Sequence, residues 1–426
     1  MTHVTSSRRP AAGRRLARIG LTGFTAFLLA APGLVARQAA ARAGGGGQAA
    51  AQAATYFPAK GAWERREPAA LGLDRATLDE AIAFANEHQN GNTKNLAEDI
   101  PRTFGREAPY NALIGPTRER TGMNGIVIRH GYVAATWGDV DRADMTFSVT
   151  KSFLSTTVGL AFDRGLIRHV ADRVAPYMPD GVDLFTADHN RDITWEHLLR
   201  QSSDWSGTLW GKPDWADRPV GNSPAEWEAR EMHAPGTYYK YNDTRVNVLA
   251  LAALHVFRQP LPEVLKANIM DPIGASDTWH WEGYENSWVT IDGRRMQSVT
   301  GGGHWGGGMF INAWDLARFG YLFLNDGRWN DRQLISKTWI GMARTPGPAN
   351  ENYGYMNWFL NTRHPITNGR PARQSLPSAP VSAVTFQGNG ANLVYIDWEH
   401  DLVVVVRWIS GNYDGFFAKV LEALRT

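Results

Sequence analysis

Ser148 and Lys151 stand with two residues between them inside Met145-Thr146-Phe147-Ser148-Val149-Thr150-Lys151-Ser152-Phe153-Leu154. On a helix, positions i and i+3 share a face, so the hydroxyl and the amine can point into one cleft. A serine hydroxyl is a poor nucleophile until a base takes its proton, and a desolvated lysine with a lowered pKa can be that base. A helix start beneath the serine adds free N–H groups and positive partial charge. Taken alone the spacing is weak, because a serine near a helix start is ordinarily a cap and a lysine one turn on is ordinarily solvated. Two later segments add to it. Tyr241 precedes Asn242-Asp243 on a turn, where a phenol can project into a cleft. Gln387-Gly388-Asn389-Gly390 joins two apolar runs.

The elements that must position these groups follow from periodicity. Val149, Phe153, Leu154, Val158, Ala161 and Phe162 recur at helical spacing, with Gly165 as the stop. A second helix is predicted over Thr244–Phe257 with Asp243 as its N-cap, and others over Leu73–Gln89, from Thr194, over Ala313–Leu324 and over Gly415–Leu424. Asn124–His130 and Tyr132–Trp137 read as a hairpin turning at His130-Gly131. Ala383–Phe386, Asn392–Asp397 and Leu402–Trp408 read as strands. Strands at both ends with helices between imply one sheet built from both ends of the chain, over about 59–150 and 270–426, with a helical insertion over about 151–269.

Residues 1–43 hold seven arginines, no lysine and no acid, then an apolar run, Ile19–Ala36, and small residues at Ala39-Ala40-Ala41. This reads as an export signal, with Arg14-Arg15 fitting the twin-arginine route; an uncleaved anchor is the rival. The expected location is periplasmic or secreted, with no stable membrane insertion after cleavage. Residues 44–58 form a Gly/Ala-rich flexible linker, and 59–426 the folded domain. The whole chain has 44 basic and 42 acidic groups. Removing the seven arginines of the signal leaves 37 basic against 42 acidic, a net of −5, which argues against a nucleic-acid-binding surface and leaves no nucleic-acid partner expected.

The chain has no cysteine, so disulfides, thiolate catalysis and cysteine-held metals are excluded. Five of its 17 tryptophans, Trp195, Trp205, Trp210, Trp215 and Trp227, fall in one loop-rich stretch and favour an aromatic-walled cleft over simple packing. Gly301 to Gly308 formally holds G-x-G-x-x-G. No clear strand precedes it and no acid ends a second strand at the right distance, so close backbone approach is the better reading. Within it His304 is read as structural. Neither a G-x-S-x-G elbow nor a metal-binding histidine motif occurs, and no cofactor or metal is implied.

Three segments together resemble the serine β-lactamase and penicillin-binding-protein superfamily, in its class C-like branch of esterases, D-amino peptidases and amide hydrolases. Ser148-Val149-Thr150-Lys151 matches the first motif. Pro235-Gly236 with Tyr241-Asn242-Asp243 matches the second, Tyr-x-Asn. Phe386-Gln387-Gly388 occupies the place of the third, Lys/His-Thr-Gly. The resemblance spans about residue 60 to the end. It implies an α/β (α+β) β-lactamase/transpeptidase-like fold, an antiparallel sheet flanked by helices plus an inserted, mostly helical region. It implies Ser148 as acylated nucleophile, Lys151 and Tyr241 as a coupled proton shuttle, and the backbone N–H groups of Ser148 and Asn389 as oxyanion hole. Asp243, Gln387 and Gly388 would contact substrate.

Two departures bear on substrate. Asp243 replaces the usual asparagine, and Phe386 and Gln387 replace the cation and hydroxyl that meet a β-lactam's carboxylate. An anionic substrate loses attraction there. The expected activity is therefore cleavage of a small-molecule ester or amide through an acyl-enzyme. The alternatives are a β-lactamase or peptidoglycan D-peptidase, and a catalytically silent penicillin-recognising fold acting as a binding protein.

Overall fold

A computed structural model describes residues 55–425, so the expected signal 1–43 and residues 44–54 of the linker lie outside the described residues. The last linker residues are packed: Tyr56 stacks on Tyr132 with ring centroids 4.6 Å apart, and the Pro58 carbonyl accepts from Arg318. Helix α1 (Arg75–Glu87) is capped by Asp74, whose Oδ1 accepts from Thr77 N at 2.9 Å. Strands β1 (Asn124–Arg129) and β2 (Tyr132–Trp137) form the expected hairpin. Strand β3 (Asp144–Met145) then leads into the Ser148 turn and helix α2 (Thr150–Asp163).

Helix α3 (Asp243–Phe257) ends a loop-rich region. Strands β4 (His280–Ile291), β5 (Arg294–Val299) and β6 (Gly308–Ile311) come next, then helix α4 (Ala313–Leu324). The chain closes with β7 (Trp358–Phe359), β8 (Val384–Gly388), β9 (Asn392–Asp397), β10 (Leu402–Arg407) and helix α5 (Tyr413–Glu422).

The main sheet is six-stranded and antiparallel, in the order β7-β8-β9-β10-β1-β2, so both ends of the chain do build it. Its register sets Ile126 opposite Val405 and Val127 opposite Val404. Both faces are buried, which is why Val403, Val404, Val405 and Val406 run without a polar break. One face packs on α1 and α5 through Leu78, Ala81, Phe416 and Val420; the other packs on α4 and the central helices through Val394, Ile396, Val403 and Leu316. Helices α2 and α3 pack together and are buried around nearly their whole circumference.

A second sheet, ordered β3-β6-β4-β5, has no counterpart in the sequence reading. Its β4–β5 hairpin turns at Asp292-Gly293, an Asp-Gly pair of the kind that two-residue hairpin turns favour, with φ 53° and 75°. Strand β5 therefore does precede the glycine cluster. The cluster runs on into strand β6 rather than into a helix, so the segment is no dinucleotide-binding turn. Among the described residues no single helix is long and apolar enough to cross a membrane.

Candidate active site

Ser148 sits in a 3-10 turn immediately ahead of α2. The residue before it, Phe147, is held in the left-handed region at φ 50°, uncommon for a bulky side chain. Its ring is buried among Leu96, Ile100, Met145, Phe310 and Trp408, and that packing holds the turn. Thr150 Oγ1 donates to the Phe147 carbonyl at 2.5 Å and accepts from Met309 N at 3.1 Å, tying the helix start to β6. Ser148 is left half-buried while the residues on either side of it are fully buried.

Lys151 lies one turn on, as its spacing predicts. Its Nζ donates to Ser148 Oγ at 2.8 Å and to Asp243 Oδ1 at 2.5 Å, with the side chain 1% exposed. Burial pushes the Lys151 ammonium down, and Asp243 opposes it. Tyr241 closes the other side. Its ring lies 4.8 Å from Lys151 Nζ and stacks on Trp358 at 5.8 Å. Burial and then Asp243 push its phenol up, so it rests protonated; Arg218 and a hydrogen bond with Ser148 act the other way.

Asp243 is placed differently from expectation. The N-cap of α3 is Asn242, whose side chain accepts from Arg245 N at 3.0 Å. Asp243 is the first helical residue and is freed for other work. Its Oδ1 takes Lys151, and its Oδ2 takes Arg218 Nη1 at 2.8 Å and His304 Nδ1 at 3.2 Å. Burial would raise its carboxyl, but Lys151, Arg218 and His304 hold it well below the usual carboxylate range. The side chain is 2% exposed, with both oxygens engaged inside the protein.

Behind Asp243 lies a cluster that the sequence does not reveal. Arg218 Nη1 also donates to Asp217 Oδ1 at 2.5 Å, and His304 Nε2 meets Glu107 Oε2 at 2.6 Å. Asp217 accepts the Asp243 backbone N–H as well. Arg245, 1% exposed, fixes the loop that carries Asp217 by donating to Asp204 and Asp214. Glu107, Asp217 and His304 bring ligand-type atoms within 4.8 Å of one another, but a guanidinium already holds Asp217, so the group reads as an ion-pair cluster.

The glycine cluster explains how the chain passes so close. A Cβ on Gly302 would lie 2.2 Å from Asp243 Oδ1 and 2.4 Å from Lys151 Nζ, contacts no side chain tolerates. At the end of β8, a Cβ on Gly388 would lie 2.2 Å from the Thr146 carbonyl and 3.1 Å from Ser148 N. The strand thus brings Gly388 and, next to it, Asn389 against the Ser148 turn. Gln387 is half-buried and its Nε2 donates to Thr385 Oγ1 at 2.7 Å. Phe386 points the other way, into the core against Phe319 and Phe323. It is a packing residue, which accounts for the missing cation.

The tryptophan-rich stretch is mainly core rather than wall: Trp195, Trp205 and Trp227 are buried. The aromatic groups beside Tyr241 are Tyr353, from the segment leading into β7, and Trp358, the first residue of β7. A separate cavity of about 670 Å³, lined by Trp63, Asn312, Trp314 and Asp315 among others, contains none of the catalytic candidates.

The family model described as Beta-lactamase matches residues 110–423. The chain belongs to the beta-lactamase family. This is a family of serine hydrolases, and the mixed α/β architecture with antiparallel sheets is that of its members. Among solved structures, a putative beta-lactamase from Bacteroides dorei DSM 17855 is similar at a TM-score of 0.53 and 14% identity, covering 82% of this chain and 99% of that one. The octameric penicillin-binding protein homologue from Pyrococcus abyssi is similar at a TM-score of 0.50 and 17% identity, covering 82% and 77%. SurE, solved with D-Leu, is similar at 0.51 and 13%, covering 82% and 76%. Among curated proteins no sequence relative matches.

Proposed function

We propose that this protein is an exported serine hydrolase that cleaves a small-molecule carboxylic ester or amide through an acyl-enzyme on Ser148. The 2.8 Å contact between Ser148 Oγ and the buried Lys151 Nζ carries the reading. Unprotonated Lys151 takes the Ser148 proton as Oγ attacks the carbonyl carbon. The carbonyl oxygen becomes an oxyanion facing the N–H groups of Ser148 and Asn389, donors worth about 10²–10³ in rate each. Collapse breaks the bond to the leaving group, and Tyr241 relays the proton from Lys151 to the departing oxygen or nitrogen. Water then attacks the ester on Ser148 by the same route in reverse.

A neutral substrate is favoured over an anionic one. Phe386 is committed to the core, so the third-motif position offers no cation to a substrate carboxylate. Ester or amide cleavage thus ranks above β-lactam cleavage, for which turnover of a chromogenic cephalosporin is the direct check. Export rests on residues 1–43, and the N-terminal sequence of the secreted protein tests it. The function is tested by hydrolysis of a short-chain nitrophenyl ester by the mature chain and by Ser148→Ala. Loss of activity in the variant, with an acyl adduct in the intact mass of wild type alone, supports the reading. Equal rates in the two proteins would remove it in favour of a silent binding protein.

A further inference from the structure

His304 lies outside the three motifs, yet it is buried at 1% side-chain exposure between two carboxylates. Its Nε2 meets Glu107 Oε2 at 2.6 Å, and its Nδ1 meets Asp243 Oδ2 at 3.2 Å, with Asp217 Oδ1 at 3.5 Å. A carboxylate only accepts, and a neutral imidazole has a single N–H, so only the imidazolium satisfies both sides at once. The ring is clamped between Phe104, 3.8 Å away, and Trp305, 4.2 Å away. We propose that His304, held by Glu107, is a positioning residue that sets how much of the Asp243 charge is left for Lys151, and so decides the pH at which Lys151 becomes the base. The proposal rests on the serine-hydrolase reading above.

The surrounding charges set the direction of the effect. Facing this cluster are the carboxylates of Glu107, Asp217 and Asp243 and the cations Lys151 and Arg218. The phenols of Tyr241 and Tyr284 also face it, and so does Lys212, whose Nζ is 5.0 Å from the Trp305 ring and whose amine burial lowers to about 8. Protonated His304 gives Asp243 a second cation besides Arg218. Less of the Asp243 charge then stabilises the Lys151 ammonium, which releases its proton at lower pH. Neutral His304 leaves Asp243 to hold Lys151 charged and inactive. Burial pushes the His304 imidazolium down, while Asp217, Asp243 and Glu107 outweigh it and hold it above the ordinary range.

The acid limb of kcat/KM for a nitrophenyl ester should therefore move in opposite directions in two variants. Asp243→Asn removes the anion and should shift the limb down by about 1–3 pH units, the usual effect of one adjacent opposite charge. His304→Gln should shift it up, by about 1 unit. Glu107→Gln, nearly unchanged in volume, should shift it up by less and serves if His304→Gln fails to fold. Histidine NMR on Ser148→Ala should show His304 doubly protonated at neutral pH. A neutral His304 there would overturn the proposal, as would variants that lose rate equally at every pH with the limb unmoved. In either case, Ser148-dependent acylation in wild type would leave the hydrolase reading standing, whereas Ser148→Ala with wild-type activity would sink that reading itself.

Discussion

In the proposed mechanism Tyr241 and Lys151 divide the proton work unequally, and their surroundings make the division measurable. The amine touches Ser148 Oγ and is buried with Asp243. The phenol is pushed up by burial and rests neutral. Lys151→Ala should lower kcat/KM on a nitrophenyl ester by about 10³–10⁴, the upper range for a lost general base. Tyr241→Phe keeps the ring against Trp358 and removes only the hydroxyl, so it should lose about 10²–10³ in rate while its thermal midpoint stays close to wild type. Rates near normal in both variants would refute the shuttle. Ser148, Lys151 and Tyr241 are legible in the sequence because each lies in a short stretch whose spacing has a local meaning. Glu107, Asp217, Arg218 and His304 are not, since they come from three distant segments and meet only when the loops fold over α3. His304 is structural in the sense of buried, but its partners have no signature in sequence.

Helices and strands are read well where one residue type settles the local geometry, and less well where two candidates compete. Helix α4 has the bounds its periodicity predicts, and the strand Asn392–Asp397 likewise. At α3 two adjacent residues can both cap, and the sequence alone favours Asp243 over Asn242. The structure uses Asn242 because its amide also donates to the Asp214 carbonyl at 2.7 Å, a contact a carboxylate cannot make. Close approach between elements gives a sharper test. Strand β8 must pass the Ser148 turn at Gly388 without a side chain. Gly388→Ala would force the strand off Thr146 and Ser148, displacing the Asn389 N–H from the oxyanion hole proposed for it. We expect kcat to fall by about 10²–10³, the value of one such donor, with acylation slowed more than substrate binding. Unchanged kcat in a folded Gly388→Ala protein would show that β8 supplies no part of the hole.

At the scale of the whole molecule, one buried side chain joins the two sheets. Arg407 ends β10 in the six-stranded sheet, is wholly buried, and reaches across to the smaller one. Its Nη1 donates to the Ile311 carbonyl at 2.7 Å on β6, and its Nη2 to the Asp144 carbonyl at 2.9 Å on β3; Nε donates to Asn392 Oδ1 at 3.2 Å. The guanidinium thereby holds strand β3, which runs directly into the Ser148 turn. Arg407→Leu removes these charge-assisted hydrogen bonds, each worth about 1.5–3 kcal/mol. A loss near ~3 kcal/mol is expected for the set, seen as a lower urea midpoint at unchanged slope. Arg407→Lys keeps the charge but cannot span both strands, so it should recover only part of that stability. Because β3 lies immediately ahead of the Ser148 turn, both variants should also lose turnover at temperatures where they are fully folded. If Arg407→Leu matched wild type in both midpoint and turnover, the two sheets would be held together by apolar packing alone, and the Ser148 turn would owe its position to Phe147 and Thr150.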